Sequence, residues 1–493
     1  MNKIIYRLLF LLLILPGLFS CTEKQAQDLD LSSEADLAGL RVATLTGTIY
    51  DIELSQRDDI SLHLFNAAGD ILQSLLNGIV DVIVDDEMIY NANIRKEYGI
   101  KIAFKGEQSF PTAFMFRKDD KDLADACTAV QQRMEQDGSM QSLKDFWLTD
   151  RYAEVDSYTH ITDDAAGAPL RVAACASTAP ISFQVEQEWY GIEIDILREL
   201  AKQLHRPLEV KYYEPVSGFM ALKSGMADVM SGGIFITPER QEEYLFAEPY
   251  HHFQPAYYVL DPDAEAQKLG LIPWFKKSIQ KNLITENRWK FLTQGLLETL
   301  KISILAILLG SVLGIGLYAM TRSRRGWVRA LARGYNGFIS GIPELVLLLI
   351  LFYVVFAGSG VPPDIVAVIC FALFFASAAS DIYATSLDAI PHGQTEAGLA
   401  LGFTRTQTFF NIVFPQAVRR GLPLFTGQCI SLLKGTSIVG YIAIHDLTRA
   451  GDLIRSRTFD ALLPLLVVTI IYFLLVWLIG FLLKLATPKK ISL

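Results

Sequence analysis

Cysteine is scarce in this chain, with five residues among 493, no CxxC pair and no His/Cys cluster. That scarcity excludes a disulfide framework or a thiolate metal centre as an organising device. A Cys127–Cys175 bridge is open to the polar part but not expected, while Cys370 and Cys429 fall in apolar runs. Also missing is the G-x-x-x-x-G-K-[ST] phosphate loop, which excludes a nucleotide site of that kind. Charged residues make up only 20% of the chain, against 51% hydrophobic residues. With a mean hydropathy of +0.30, part of the chain is expected in lipid.

What charge there is divides unevenly. From Thr285 onward the sequence nets +8, so the portion before it carries −17 of the overall −9. An acidic soluble part followed by a basic membrane part is the natural reading, and nothing points to nucleic acid. The start resembles a secretion signal: Lys3 and Arg7, an apolar stretch at 8–15, then Leu18-Phe-Ser-Cys21, which is similar to a lipobox. Residues 1–21 are therefore expected to be a lipoprotein signal with Cys21 as the lipidation site. Simple cleavage and an uncleaved anchor remain as alternatives. Residues 22–36 then form a polar tether.

Five apolar spans are expected after Trp289, at 296–320, 339–357, 365–384, 422–444 and 462–485. The loop at 321–333 holds Arg322, Arg324, Arg325, Arg329 and Arg333 with no acidic residue, which the positive-inside rule places in the cytoplasm. Alternation then puts 357–363 and 445–460 outside, and the loop around Glu396 and the Lys489-Lys490 tail inside. The N-terminal part must lie outside, as its signal also requires.

The cytoplasmic loop reads Glu396-Ala397-Gly398-Leu399-Ala400-Leu401-Gly402, then nine residues, then Ile412-Val-Phe-Pro415. Small and apolar residues at this spacing suit a short helix seated in a groove, with Gly402 permitting the turn and Pro415 ending the next one. A plain surface helical hairpin is the alternative. The run resembles the coupling loop of ABC importer permeases, although Gly398 replaces the usual alanine. GLLETL at 295–300, GIPEL at 341–345, SLLKGTS at 431–437 and DLTRAG at 446–451 extend the resemblance to polar amino-acid permeases. Residues 291–490 are thus expected to be an all-α ABC type I permease. The resemblance implies a homodimer or a sister permease, and a separate ATPase dimer that binds ATP-Mg; the chain itself carries no cofactor and is not an enzyme. Lys434, ionisable and near the fourth span, is either functional or a lysine snorkelling at a helix end.

Ahead of the spans lie two α/β segments. LRVATLTG at 40–47, a helix at 71–78 and a buried strand at 80–84 ending in Asp85-Asp86 make the first. LRVAA at 170–174, WYGIEIDILREL at 189–200 and GMADVMSGGIFITPER at 225–240 make the second. Together these resemble the two halves of a family-3 solute-binding protein, in reversed order. The resemblance implies an α/β two-lobed periplasmic-binding-protein fold over 37–260, circularly permuted. Its second-lobe core covers 37–108, its first lobe 109–150 and 169–253, and 261–290 is a linker. Two truncated domains in tandem are the alternative.

Carried over residue by residue, the resemblance assigns Arg240 to an amino acid's carboxylate and Asp86 to its ammonium. Gly233, Gly47, Thr48 and Thr237 become backbone and hydroxyl contacts. Arg240 pairing with Glu239 or Glu243, and Asp86 capping a helix, stay open. Phe235, Cys175, Thr178 and Pro215 depart from the usual hydroxyl, acidic and aromatic positions. The expected function is the receptor-permease of an ATP-driven amino-acid importer in the cytoplasmic membrane. The alternative is a ligand-gated channel or sensor that has lost transport.

Overall fold

The computed structural model describes residues 29–149, 158, 167–175, 179–185, 188–264 and 271–485. The expected signal with Cys21, the first part of the tether, most of the segment joining the two halves, Thr178 and the lysine tail lie outside the described residues. The chain divides into one unit of Met1–Ser109 with Gln254–Lys268, and a second of Phe110–Phe253 with Leu269–Leu493.

The first unit is a mixed sheet of β1 (Arg41–Leu45), β2 (Ser61–Phe65), β3 (Val82–Asp86), β4 (Ile100–Lys105) and β14 (Pro255–Leu260), in the order β2-β1-β3-β14-β4. β1 runs parallel to β2 and β3, while β14 lies antiparallel between β3 and β4. Val82, Ile83 and Val84 are all buried, the continuous apolar run of a strand covered on both faces. The Ala68–Leu76 helix packs on the sheet by burying Ile71, Leu72 and Leu75, an amphipathic spacing.

The second unit begins with β5 (Phe110–Thr112) and β6 (Met115–Arg117), followed by helices Lys121–Asp137 and Ser139–Trp147. After the joining segment come β7 (Leu170–Ala174), the hairpin of β8 (Phe183–Val185) and β9 (Glu188–Tyr190), and β10 (Leu208–Tyr212). Then come β11 (Val229–Ser231), β12 (Tyr244–Phe246) and β13 (His251–Phe253). Their sheet order is β10-β7-β11-β6-β12, the same plan as the first sheet. β6 lies antiparallel between β11 and β12, as β14 does between β3 and β4.

The equivalence reaches single side chains. Arg41 and Arg171 each open the first strand of a sheet, and each holds an aspartate just before the third strand. The Nη2–Oδ1 distances to Asp81 and Asp228 are both 2.5 Å. The backbone N–H of each arginine donates to the same carboxylate at 3.0 and 3.1 Å. Leu-Arg-Val-Ala opens both strands, and Gly-x-x-Asp precedes both third strands. Each sheet takes its antiparallel strand from the other half of the chain, so two separate truncated cores are ruled out.

The membrane part also lies in the second unit. Trp289–Thr321, Pro363–Asp388 and Leu462–Leu482 are each long and apolar enough to cross a membrane. The expected span at 339–357 is not one straight helix. It straddles Gly326–Gly341 and Glu344–Val355, which meet at 105°. Pro343 supplies the reason, because it forces Ile342 into extended backbone (φ −107°, ψ 135°). A second pair, Arg405–Ile442 and Leu447–Thr458, bends by 52°. Among the described residues the count is therefore three crossing helices, or up to five if each bent pair is one span. The first and third expected spans pack through small residues. A Cβ on Gly310 would stand 2.7 Å from the Phe375 Cβ, and one on Gly314 2.8 Å from that of Ala379, the close approach small residues permit between membrane helices.

Part of the expected linker is an elbow built on the permease. Helix Leu271–Ile279 continues into a wider turn at Gln280–Ile284. Within it, Asn282 Nδ2 donates to Asp460 Oδ2 at 2.6 Å and Ser278 Oγ donates to the same oxygen at 2.5 Å. Thr458 Oγ1 donates to Asn282 Oδ1 at 2.7 Å, so the buried amide is satisfied at both ends.

Candidate functional site

In the second unit the chain leaves β11 through Gly232-Gly233 and reaches Thr237, which caps helix Pro238–Glu243 by accepting the Arg240 N–H at 3.3 Å. The Gly233 N–H, expected to meet a ligand carboxylate, is taken by the protein itself. Glu193, fully buried, accepts the Gly232 and Gly233 N–H groups at 2.6 and 3.0 Å and the Tyr250 hydroxyl at 2.8 Å. Burial pushes the Glu193 carboxyl up to about 7 against the opposing pull of those three donors. Gly233 therefore anchors an internal carboxylate. Glu193 was missed because GIEIDI read only as the entry to a helix.

Arg240 Nη1 donates to the Phe235 carbonyl at 2.9 Å, and its guanidinium stands 5.4 Å from the Phe219 ring centroid. Burial lowers its pKa from the ordinary arginine value. Glu243 pairs with Lys223 at 3.6 Å.

In the first unit Asp86 ends β3. The Tyr50 hydroxyl donates to its Oδ1, and the Tyr258 hydroxyl donates to its carbonyl at 3.0 Å. Beside it, buried Asp85 accepts the Asp86 N–H at 2.9 Å through Oδ1, while its Oδ2 has no hydrogen-bond partner among the described residues. Burial pushes both carboxyls up, Asp86 to about 7. Asp86 caps no helix; Asn91 caps the one that follows. The Gly47-Thr48 turn is engaged locally. Gly47 N–H donates to Asp51 Oδ2 at 2.8 Å, while Thr48 Oγ1 accepts the Asp51 N–H at 3.3 Å and donates to the Leu45 carbonyl at 2.8 Å.

On the permease, helix His392–Ala400 carries Glu396 and Ala397, both exposed, and turns at Gly402 with φ +84°. The capping box of Thr404 and Gln407 starts the next helix at Arg405. Gly398 lets the two arms close, since a Cβ there would lie 2.6 Å from Thr408 Cγ2 and 3.0 Å from Ile412 Cδ1. Leu399, Leu401, Phe403, Phe410 and Phe414 remain exposed, Leu401 by 78%. Pro415 does not end a turn, contrary to expectation. It sits in the first turn of Phe414–Gly435, and the chain stays helical from Arg405. Lacking an N–H, it is accommodated by the wider hydrogen-bond pitch of Phe409–Val413.

Lys434 lies in the last turn of Phe414–Gly435, where a cation suits the helix end. Glu344 opens the helix after the Pro343 break, with Oε2 2.8 Å from where a Gly435 Cβ would stand. The described cysteines, Cys127, Cys175, Cys370 and Cys429, are free buried thiols.

Residues 306–492 match the binding-protein-dependent transport system inner membrane component family. The chain is 33% identical over 215 residues to the L-cystine transport system permease protein of Bacillus subtilis (strain 168), covering 43% of this chain and 88% of that protein. It is 32% identical over 195 residues to the glutamate/aspartate import permease protein of Escherichia coli O6:H1, covering 38% and 87%. Among solved structures, an amino acid ABC transporter crystallised with histidines superposes at TM-score 0.39 with 26% identity, covering 45% of this chain and 100% of that one. A ligand binding component of an ABC-type import system from Staphylococcus aureus superposes at TM-score 0.25 with 12% identity, covering 49% and 70%. Neither superposition reaches 0.5, and neither carries the argument. With its long apolar helices and that match, the chain belongs to the family of binding-protein-dependent transport system inner membrane components, and is a multi-pass membrane permease rather than an enzyme.

Proposed function

We propose that this chain is the receptor and the permease of an ATP-driven importer for polar amino acids or close analogues, energised by a separate ATPase dimer. The observation that carries the reading is the 392–408 helix–turn–helix, which offers exposed Leu399, Leu401 and Phe403 beside Glu396. Such an apolar tip on a polar helical arm suits insertion into a groove of a soluble partner. The absence of a phosphate loop in the sequence requires that partner to bring the nucleotide site.

The substrate class rests on relatives whose names specify L-cystine and glutamate/aspartate. It rests also on Arg240, a planar donor suited to a carboxylate, and on Asp86, suited to an ammonium. The arginine-rich loop at 321–333 supports a cytoplasmic coupling arm and an external receptor in the cytoplasmic membrane. Residues 291–490 would then pair with a second permease, and Cys21 would carry lipid. Co-purification tests the reading. Tagged full-length chain should bring down an ATPase from its native membranes, and Leu401→Asp should release it. If no ATPase associates and Glu396→Lys behaves as the parent, the ligand-gated channel or sensor is the better account.

A further inference from the structure

The second unit contains both the β7–β11 lobe and the permease, and the contacts joining them are those of a protein interior. Arg449, on the Leu447–Thr458 helix, pairs through Nη1 with Glu214 Oε1 at 2.7 Å, and its guanidinium lies 3.6 Å from the Tyr212 ring centroid. Arg449 itself is 9% exposed. Two turns further along, Arg457 stands 4.2 Å over the ring of Phe183, which is fully buried. From the Pro343-bent pair, Tyr353 directs its hydroxyl to the Ser217 and Tyr441 carbonyls, both at 3.2 Å. Around these polar contacts the apolar core does not stop at the lobe. Met115, Ala173, Cys175, Tyr213 and Met230 belong to the same buried cluster as Leu348, Phe352 and Phe371 of the membrane helices.

Resting on the receptor-permease reading, we infer that this lobe is a permanent part of the permease's outer mouth, and does not dock and release with each transport cycle. A surface made to separate is polar and wet, and charge at its rim tunes arrival. Here an arginine is desolvated and stacked, and a shared apolar core would be exposed on release. Breaking this partly buried, hydrogen-bonded pair is costly because it strands the charge of the buried arginine. Substrate-driven rearrangement is thereby confined to the rest of the receptor.

Spin labels at Lys223→Cys and Ser359→Cys, both exposed positions, report the lobe–permease distance in the full chain reconstituted in nanodiscs. One narrow distance is expected without substrate, and the same distance with L-cystine, L-glutamate and L-glutamine each at millimolar concentration. A broad or two-peaked distribution in either state would overturn the inference. Glu214→Arg should broaden the distribution and Glu214→Arg with Arg449→Glu should narrow it again; should the first variant fail to fold, Tyr353→Phe replaces it and is expected to leave the peak in place with added width. A narrow peak in a chain that shows no amino-acid uptake would count against the transport reading alone.

Discussion

Asp86 and Glu193 are both carboxyls raised by burial, yet their titrations have different consequences. If Asp86 meets a substrate ammonium, only its ionised form serves. Apparent affinity for an amino acid should fall as pH drops through about 7, by up to tenfold per unit, and calorimetry on the full chain at pH 8.5 and 5.5 checks this. Glu193 reports on stability. Its folded value of about 7 lies above its ordinary value of 4.5, so folding favours the protonated form. That contribution is fully present below about 4.5 and is lost as pH rises to 7. Glu193→Ala leaves two N–H groups and a tyrosine hydroxyl unpaired and should cost the lobe about 3 kcal/mol, read from chemical denaturation. Glu193 shows where residue-level reading of the sequence stopped. The GIEIDI run marks a helix entry whether or not its glutamate folds back onto a glycine turn, and that turn lies some forty residues away.

Elements were legible wherever period and punctuation agreed. The strands at 41–45 and 170–174, the helix at 68–76 and the three long apolar helices follow from their hydrophobic patterns. The bend in the span expected at 339–357 was not legible, because hydropathy records composition and not direction, and the break at Ile342-Pro343 leaves composition apolar on both sides. Pro415 misled in the opposite sense, because a widened turn absorbed the missing donor. Two substitutions test these elements. Gly402→Val forces a β-branched residue to φ +84° and should cost the coupling arm about 2 kcal/mol. The expected readout is faster hydrogen exchange across 392–408, with the membrane helices unchanged. Asn282→Leu removes the bridge between Asp460 and Thr458 and should lower stability by about 2 kcal/mol, with exchange rising at 271–287 and 447–460. An elbow that only lay on the lipid surface would show neither change.

At the scale of the molecule, the two sheets share one strand plan and each borrows a strand from the other half of the chain. The reversed order of the halves was readable from their motifs. The exchange of strands between them was not, because it depends on pairing between residues more than a hundred positions apart. The packing of the β7–β11 lobe against the membrane helices was equally invisible, since Arg449 and Glu214 carry no pattern that links them. The central claim is that this chain imports amino acids with a borrowed ATPase. Uptake of radiolabelled L-cystine, L-glutamate and L-glutamine into proteoliposomes holding the full chain and its co-purified ATPase tests that claim most directly. The account predicts accumulation of at least one of them that requires ATP on the coupling-arm side and disappears in Leu401→Asp. Ion flux on adding amino acid, with no ATP-dependent accumulation of any of the three, would contradict it.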